Sequence, residues 1–178
     1  MAAMVSMLRG VNLGNRRIKM DALRDVYQSL GLENPRTYVQ SGNVVFLTKE
    51  RNLDKLAKRI EDAIEKKFGF RADNILRTAP EMREVIARNP FAKRKDINPG
   101  KLLVMFLERE PGPEARKKIL EFTGIPEELH LDGRELYIYF PNGQARPTLK
   151  MALVDKALQT RWTGRNWNTV TALLEMAE

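Results

Sequence analysis

The amino-acid sequence predicts an α+β protein made of two βαββαβ units, and three observations lead there. Apolar residues recur at three-to-four spacing in some stretches and bunch into short β-branched or aromatic runs in others. Turn-forming residues such as Ser41-Gly42 and Asp132-Gly133 separate neighbouring runs. The order of elements read over residues 1–78 then returns from residue 101 onward, although no residue-level repeat links the halves.

In the first half, residues 4–8 form a short apolar run suited to a buried strand, and residues 10–15 supply a loop. Met20, Leu23, Val26, Tyr27 and Leu30 follow at helical spacing, with Asp21 near the start and Gly31 at the stop. Residues 36–40 and 43–47 read as antiparallel strands around a tight turn at Ser41-Gly42. Leu53, Leu56, Ala57, Ile60, Ile64 and Phe68 make one helical stripe closed by Gly69, and residues 72–77 return as a strand.

Thr78 and Glu81 have the spacing of a capping box, with Pro80 tolerated in the first turn. Met82, Val85 and Ile86 then share a face before Asn89-Pro90 ends the segment. Residues 79–100 are therefore expected to be a connector, a helix followed by a basic loop. Beyond it lie a strand at 101–107, a helix at 113–122 stopped by Gly124, strands at 128–131 and 135–140, and a helix from about residue 149 to 158. A short strand near residues 161–164 and a last helix over 169–177, with Asn168 as its N-cap, complete the chain. The expected layout is a ferredoxin-like unit at 1–78, the connector, and a second ferredoxin-like unit with a terminal helix at 101–178.

Composition narrows the chemistry. The 178 residues include no cysteine and one histidine, His130, which removes disulfides, thiolate nucleophiles, iron–sulfur ligation and cysteine- or histidine-rich zinc sites. His130 falls on a strand without a serine or acidic partner motif, so a structural role is expected, and no metal and no cofactor are assigned. The longest apolar runs are far shorter than the roughly 20 residues that cross a bilayer, and no export pattern is present, so a cytoplasmic protein without a membrane partner is expected. A net charge of +8 favours polyanions. Its distribution is informative, because residues 1–20 hold Arg9, Arg16, Arg17 and Lys19 with no acid.

Three segments could carry a site. Residues 8–19 form a basic, glycine-containing loop between a strand and a helix, able to offer backbone N–H groups and cations to an anion, or simply to be a solvated turn. Neither dinucleotide-binding nor P-loop glycine spacing is present. Residues 37–46 place Gln40, Ser41 and Asn43 at a hairpin tip, where they orient a polar ligand or serve the turn itself. Residues 161–170 combine two arginines, two tryptophans and a helix start, parts that suit either phosphate and planar rings or a packed core with a capped helix.

Residues 8–24 (LRGVNLGNRRIKMDALR), 38–46 (YVQSGNVVF) and 165–173 (RNWNTVTAL) together resemble the domain-of-unknown-function 1697 family, over almost the whole chain. The family pattern commonly has a second glycine after Gly14, where this chain has Asn15. The resemblance implies an α+β fold with ferredoxin-like halves and carries no catalytic assignment. From the residues, the leading expectation is a binding module for a phosphate-containing anion, nucleic acid included. Arg9, Gly10, Asn12, Gly14, Lys19, Gln40, Ser41, Asn43, Arg165, Asn166 and Trp167 are the candidate contacts. The alternative is an enzyme acting on a phosphorylated or carboxylated small molecule; a third reading makes the motifs buried packing. RNA reading across a sheet needs exposed aromatics, and here residues 4–8 have none and 43–47 only Phe46.

Overall fold

A computed structural model describes residues 1–178. The elements are β1 (Ala2–Leu8), α1 (Met20–Ser29), β2 (Glu33–Tyr38), β3 (Asn43–Thr48), α2 (Leu53–Phe68), β4 (Asn74–Thr78), α3 (Ala79–Ala87), β5 (Leu102–Leu107), α4 (Pro113–Leu120), β6 (Glu128–Asp132), β7 (Glu135–Tyr139), α5 (Met151–Leu158), β8 (Trp162–Asn166) and α6 (Trp167–Ala177). They form two four-stranded antiparallel sheets, ordered β2-β3-β1-β4 and β6-β7-β5-β8. The chain divides into two compact units, Met1–Glu84 with Ala172–Glu178, and Val85–Thr171.

In the first unit, α2 shows how local sequence sets an element. Asn52 accepts from the Lys55 N–H at 3.1 Å to start it, and Gly69 at φ 82° ends it by donating its N–H to the Glu65 carbonyl. Its buried Leu56, Ile60 and Ile64 pack with Leu23, Val26 and Tyr27 of α1 and with Met4, Leu8, Val44, Phe46 and Leu76 of the sheet. Removing such a side chain, as in Ile60→Ala, costs about 2–5 kcal/mol. Val5, Met7, Val45 and Ile75, which alternate with the helix-facing residues, are buried too. Strands buried on both sides read as continuous apolar runs, which is how β1 and β3 look in the sequence.

Inside this core lies a polar string. Ser6 Oγ is 2.7 Å from the Tyr27 hydroxyl and donates to Asn74 Oδ1 at 2.6 Å. The Asn74 backbone N–H donates to Glu61 Oε2 at 2.8 Å, and Glu61 pairs with Arg71 at 3.2 Å. Burial pushes the Tyr27 phenol well above its ordinary pKa, partly offset by Ser6, so it stays a neutral hydroxyl. Asn74 Nδ2 is buried without a partner.

The second unit packs Met105, Leu107, Leu136, Ile138 and Phe140 against Ile119 of α4 and Val154, Ala157 and Leu158 of α5. Its buried polar groups are tied pairwise: Tyr137 donates to the Val85 carbonyl at 2.6 Å, Glu135 pairs with Arg88 at 2.7 Å, and Glu127 accepts the Leu149 N–H at 2.6 Å.

The two units share a register. Leu8 N–H donates to Gly42 O and Arg9 N–H to Asp73 O, both at 2.9 Å; Leu107 N–H to Arg134 O and Glu108 N–H to Arg161 O repeat this at 2.8 Å. Val5 faces Arg77 across β1 and β4 just as Val104 faces Arg165 across β5 and β8. Both arginines are buried, and each donates from Nη1 to the carbonyl of the residue before it, at 3.0 and 2.8 Å.

Several expected boundaries move. The turn expected at Ser41-Gly42 is a four-residue loop, because Tyr38 pairs directly with Asn43. In the second hairpin Asp132 pairs with Glu135, which makes Gly133 and Arg134 the loop. β2 starts at Glu33, where a register irregularity and Asn34 at φ 50° let an edge strand accommodate Pro35. The last helix starts at Trp167 and not at 169, and its cap is Asn166, not Asn168: Asn166 Oδ1 accepts the Thr169 N–H at 2.9 Å.

Candidate functional site

The first two sequence segments meet in the first unit. After β1 the chain makes a small excursion in which Leu13 bridges Arg16, with Asn12 N–H donating to Arg16 O at 2.7 Å and Arg16 N–H to Leu13 O at 3.0 Å. Gly10, Asn12 and Gly14 take left-handed backbone at φ 72°, 61° and 58°. Asparagine tolerates that region better than other residues with a Cβ. Asn12 uses both ends of its amide: Nδ2 donates to the Gln40 carbonyl at 2.6 Å, and Oδ1 accepts the Ile18 N–H at 2.9 Å.

Arg16 braces the excursion from beneath. Its Nε donates to Gly10 O at 2.9 Å, its Nη2 to Arg71 O at 2.6 Å, and its guanidinium lies 4.6 Å from the Phe70 ring centroid. Arg17 donates to the Asn12 carbonyl at 3.0 Å. On the other loop, buried Asn43 holds the chain by donating to Tyr38 O at 3.0 Å and Ser41 Oγ at 2.8 Å. Gly42, at φ 84°, lies so close to β1 that a Cβ there would sit 2.8 Å from Leu8 Cβ. Glycine is required both for the backbone angle and for the approach.

The candidate residues therefore separate by role. Asn12 joins the two loops, Asn43 holds its own loop together, and Arg9 is half-buried with its backbone bonded to Asp73. Lys19, Gln40, Ser41 and Gly14 are exposed, and no atom beyond its own chain neighbours lies within 4 Å of where a Gly14 Cβ would be. Gly10 opens the excursion and passes its carbonyl to Arg16. Arg16, Arg17 and Val39 belong to the same loop pair without being among the expected contacts; the acid-free run of cations pointed to the two arginines, and nothing local pointed to Val39.

Arg165, Asn166 and Trp167 belong to the second unit. Arg165 donates to Thr163 Oγ1 and Gly164 O, both at 2.8 Å, and burial lowers its guanidinium to about 10, still protonated at neutral pH. Asn166 caps α6, and half-buried Trp167 is its first residue. His130 lies edge-on to Phe91, with ring centroids 5.0 Å apart.

An acid-free, internally braced basic loop can meet an anion without first paying for its own ordering. The sheet offers no aromatic platform of the kind that reads single-stranded RNA, since Val5, Met7 and Val45 are buried.

These features define a two-unit α+β protein with an elaborated loop pair in its first unit. The chain belongs to the DUF1697 family, described as proteins of unknown function, which matches residues 1–137. It is also similar in fold to a conserved bacterial protein from Streptococcus pneumoniae, with a TM-score of 0.71 and 18% identity, over 99% of this chain and 98% of that one. No curated protein matches it. No helix is long and apolar enough to cross a membrane.

Proposed function

We propose that the first unit binds a phosphate-bearing anion, nucleic acid included, on the joined loops 9–19 and 39–42. The carrying observation is an asymmetry between units of equal strand order. Eleven residues follow β1, at 9–19, against five after β5, at 108–112; the hairpin loops hold four residues, 39–42, against two, 133–134. The extra residues add no helix or strand to the sheet, yet they are bonded to each other through Asn12 and Gln40. Long, rigidly held loops on a scaffold are where binding residues concentrate.

Arg17 and Lys19 supply the charge, exposed and without an acidic partner, and Gly14 leaves backbone open to approach. We also read each unit as ferredoxin-like, on its βαββαβ order and on the central positions of its first and third strands.

Salt-titrated binding to short oligonucleotides and to inorganic polyphosphate tests the proposal. Binding is expected at low ionic strength, and Arg17→Ala/Lys19→Ala is expected to weaken it about tenfold and flatten the salt slope by about two ions. No binding at the lowest salt, or an unaffected double variant, overturns it.

A further inference from the structure

The loop pair presents more than charge. Leu13 and Val39 are among the few large apolar side chains left exposed, at 67% and 54%. They are the chain neighbours of Asn12 and Gln40, the two residues whose hydrogen bond joins the loops. Isolated exposed aliphatics are ordinary, but these two belong to one stitched structure. Val39 also takes φ 49°, a left-handed conformation that strains a β-branched residue and that glycine or asparagine would adopt readily. The chain holds an aliphatic side chain in water at a position suited to a smaller or polar one.

We infer, resting on the phosphate-binding reading above, that the phosphates are headgroups of an anionic lipid surface. Leu13 and Val39 enter the boundary between headgroups and acyl chains while Arg17 and Lys19 meet the phosphates. Exposed aliphatic side chains and unpaired cations on one joined loop pair match that boundary, where apolar burial and attraction to anionic lipid act together. A single nucleic-acid strand is better met by stacking rings, and loops 9–19 and 39–42 contain no aromatic residue; Phe70 lies against Arg16, and Tyr38 is half-buried in β2. Lying on a surface requires no membrane-crossing helix, so the expectation of no membrane partner, which came from the shortness of the apolar runs, does not bear on it.

The test is co-sedimentation of the intact chain with vesicles of phosphatidylglycerol and phosphatidylcholine, against phosphatidylcholine alone, beside the oligonucleotide and polyphosphate titrations. Binding to the anionic vesicles is expected to exceed that to neutral ones at least tenfold and to weaken with salt. Leu13→Asn/Val39→Asn, whose asparagines suit exposed positions and a left-handed residue 39, is expected to keep its thermal melt and polyphosphate affinity and lose vesicle binding about tenfold. Absence of vesicle binding, or full vesicle binding by the double variant, overturns the lipid assignment. If polyphosphate or oligonucleotide binds while vesicles do not, the assignment falls and the phosphate reading stands. If none binds, both fall. Equal loss of oligonucleotide binding in the double variant would assign the aliphatic pair to nucleic acid instead.

Discussion

The two units share backbone register and buried arginines, and they differ in what fills the core and what extends from the strand ends. Where the first unit has Ser6 and Asn74 in its polar string, the matching register positions of the second hold Met105 and Trp162. Where Gly42 closes the first hairpin under β1, Arg134 occupies the equivalent bond to Leu107. The second unit keeps the same sheet without the Ser6–Asn74 string, with five residues after its first strand and two in its hairpin loop. The string and the longer loops at those two places belong to the first.

That contrast is most sharply broken at Gly42. Gly42→Ala forces a Cβ against Leu8 at a left-handed φ and is expected to destabilise the protein by about 3 kcal/mol, while Arg134→Ala costs under about 1 kcal/mol. Chemical denaturation compares them, and equal costs would mean that the first hairpin is not specially constrained. Next is the polar string. Ser6→Ala strands the Tyr27 hydroxyl and Asn74 Oδ1 and is expected to cost about 2 kcal/mol. Adding Tyr27→Phe should recover part of that loss; if the costs simply add, the hydroxyl was not left unsatisfied.

A smaller effect is expected at the stitch between loops. Asn12→Ala removes the bond to Gln40 and the acceptor of the Ile18 N–H, and it leaves a Cβ residue at φ 61°. A loss of about 1–2 kcal/mol is expected, with faster hydrogen exchange at Ile18 as the local readout. Unchanged exchange there would show that the loops hold together without it.

Smallest is the response to acid, which both units share. Hydrogen bonds from Arg71 and then Lys58 hold the Asp62 carboxyl below its ordinary value in the first unit, and Arg94 does the same for Asp96 in the second. A carboxyl depressed in the folded state stabilises it above the ordinary value of 3.8, and the contribution is lost as pH falls through the lowered one. Both side chains are exposed, so a shallow decline below about pH 4 is expected. Carboxyl titration by NMR in Arg71→Ala and Arg94→Ala should return each aspartate toward its ordinary value; no movement would remove these pairs as the cause.

Apolar periodicity made the helix stripes of α1 and α2 and the runs of β1, β3 and β5 legible, because burial acts on residues a few positions apart. The α+β class and the repeated element order follow from those patterns. The Asn12–Gln40 bond was not legible, since nothing local ties residues 28 positions apart. The roles of the asparagines were ambiguous for the same reason: a turn amide and a ligand amide are the same group until its partners are known. Asn166 and Asn168 are equally good caps by type, and only the extent of β8 decides that Asn166 stands where the helix begins.

The assignment of residues Ala172–Glu178 to the first unit has a consequence for biosynthesis. Arg36 donates to the Met176 carbonyl and Arg83 pairs with Glu178, so these late residues are bonded to elements made early. The ribosome must pass through the whole second unit before the first can acquire them, a wait of roughly ten seconds at usual elongation rates. During that interval the first unit holds all four of its strands and lacks only its final segment. The half that is made first is then the half that is finished last.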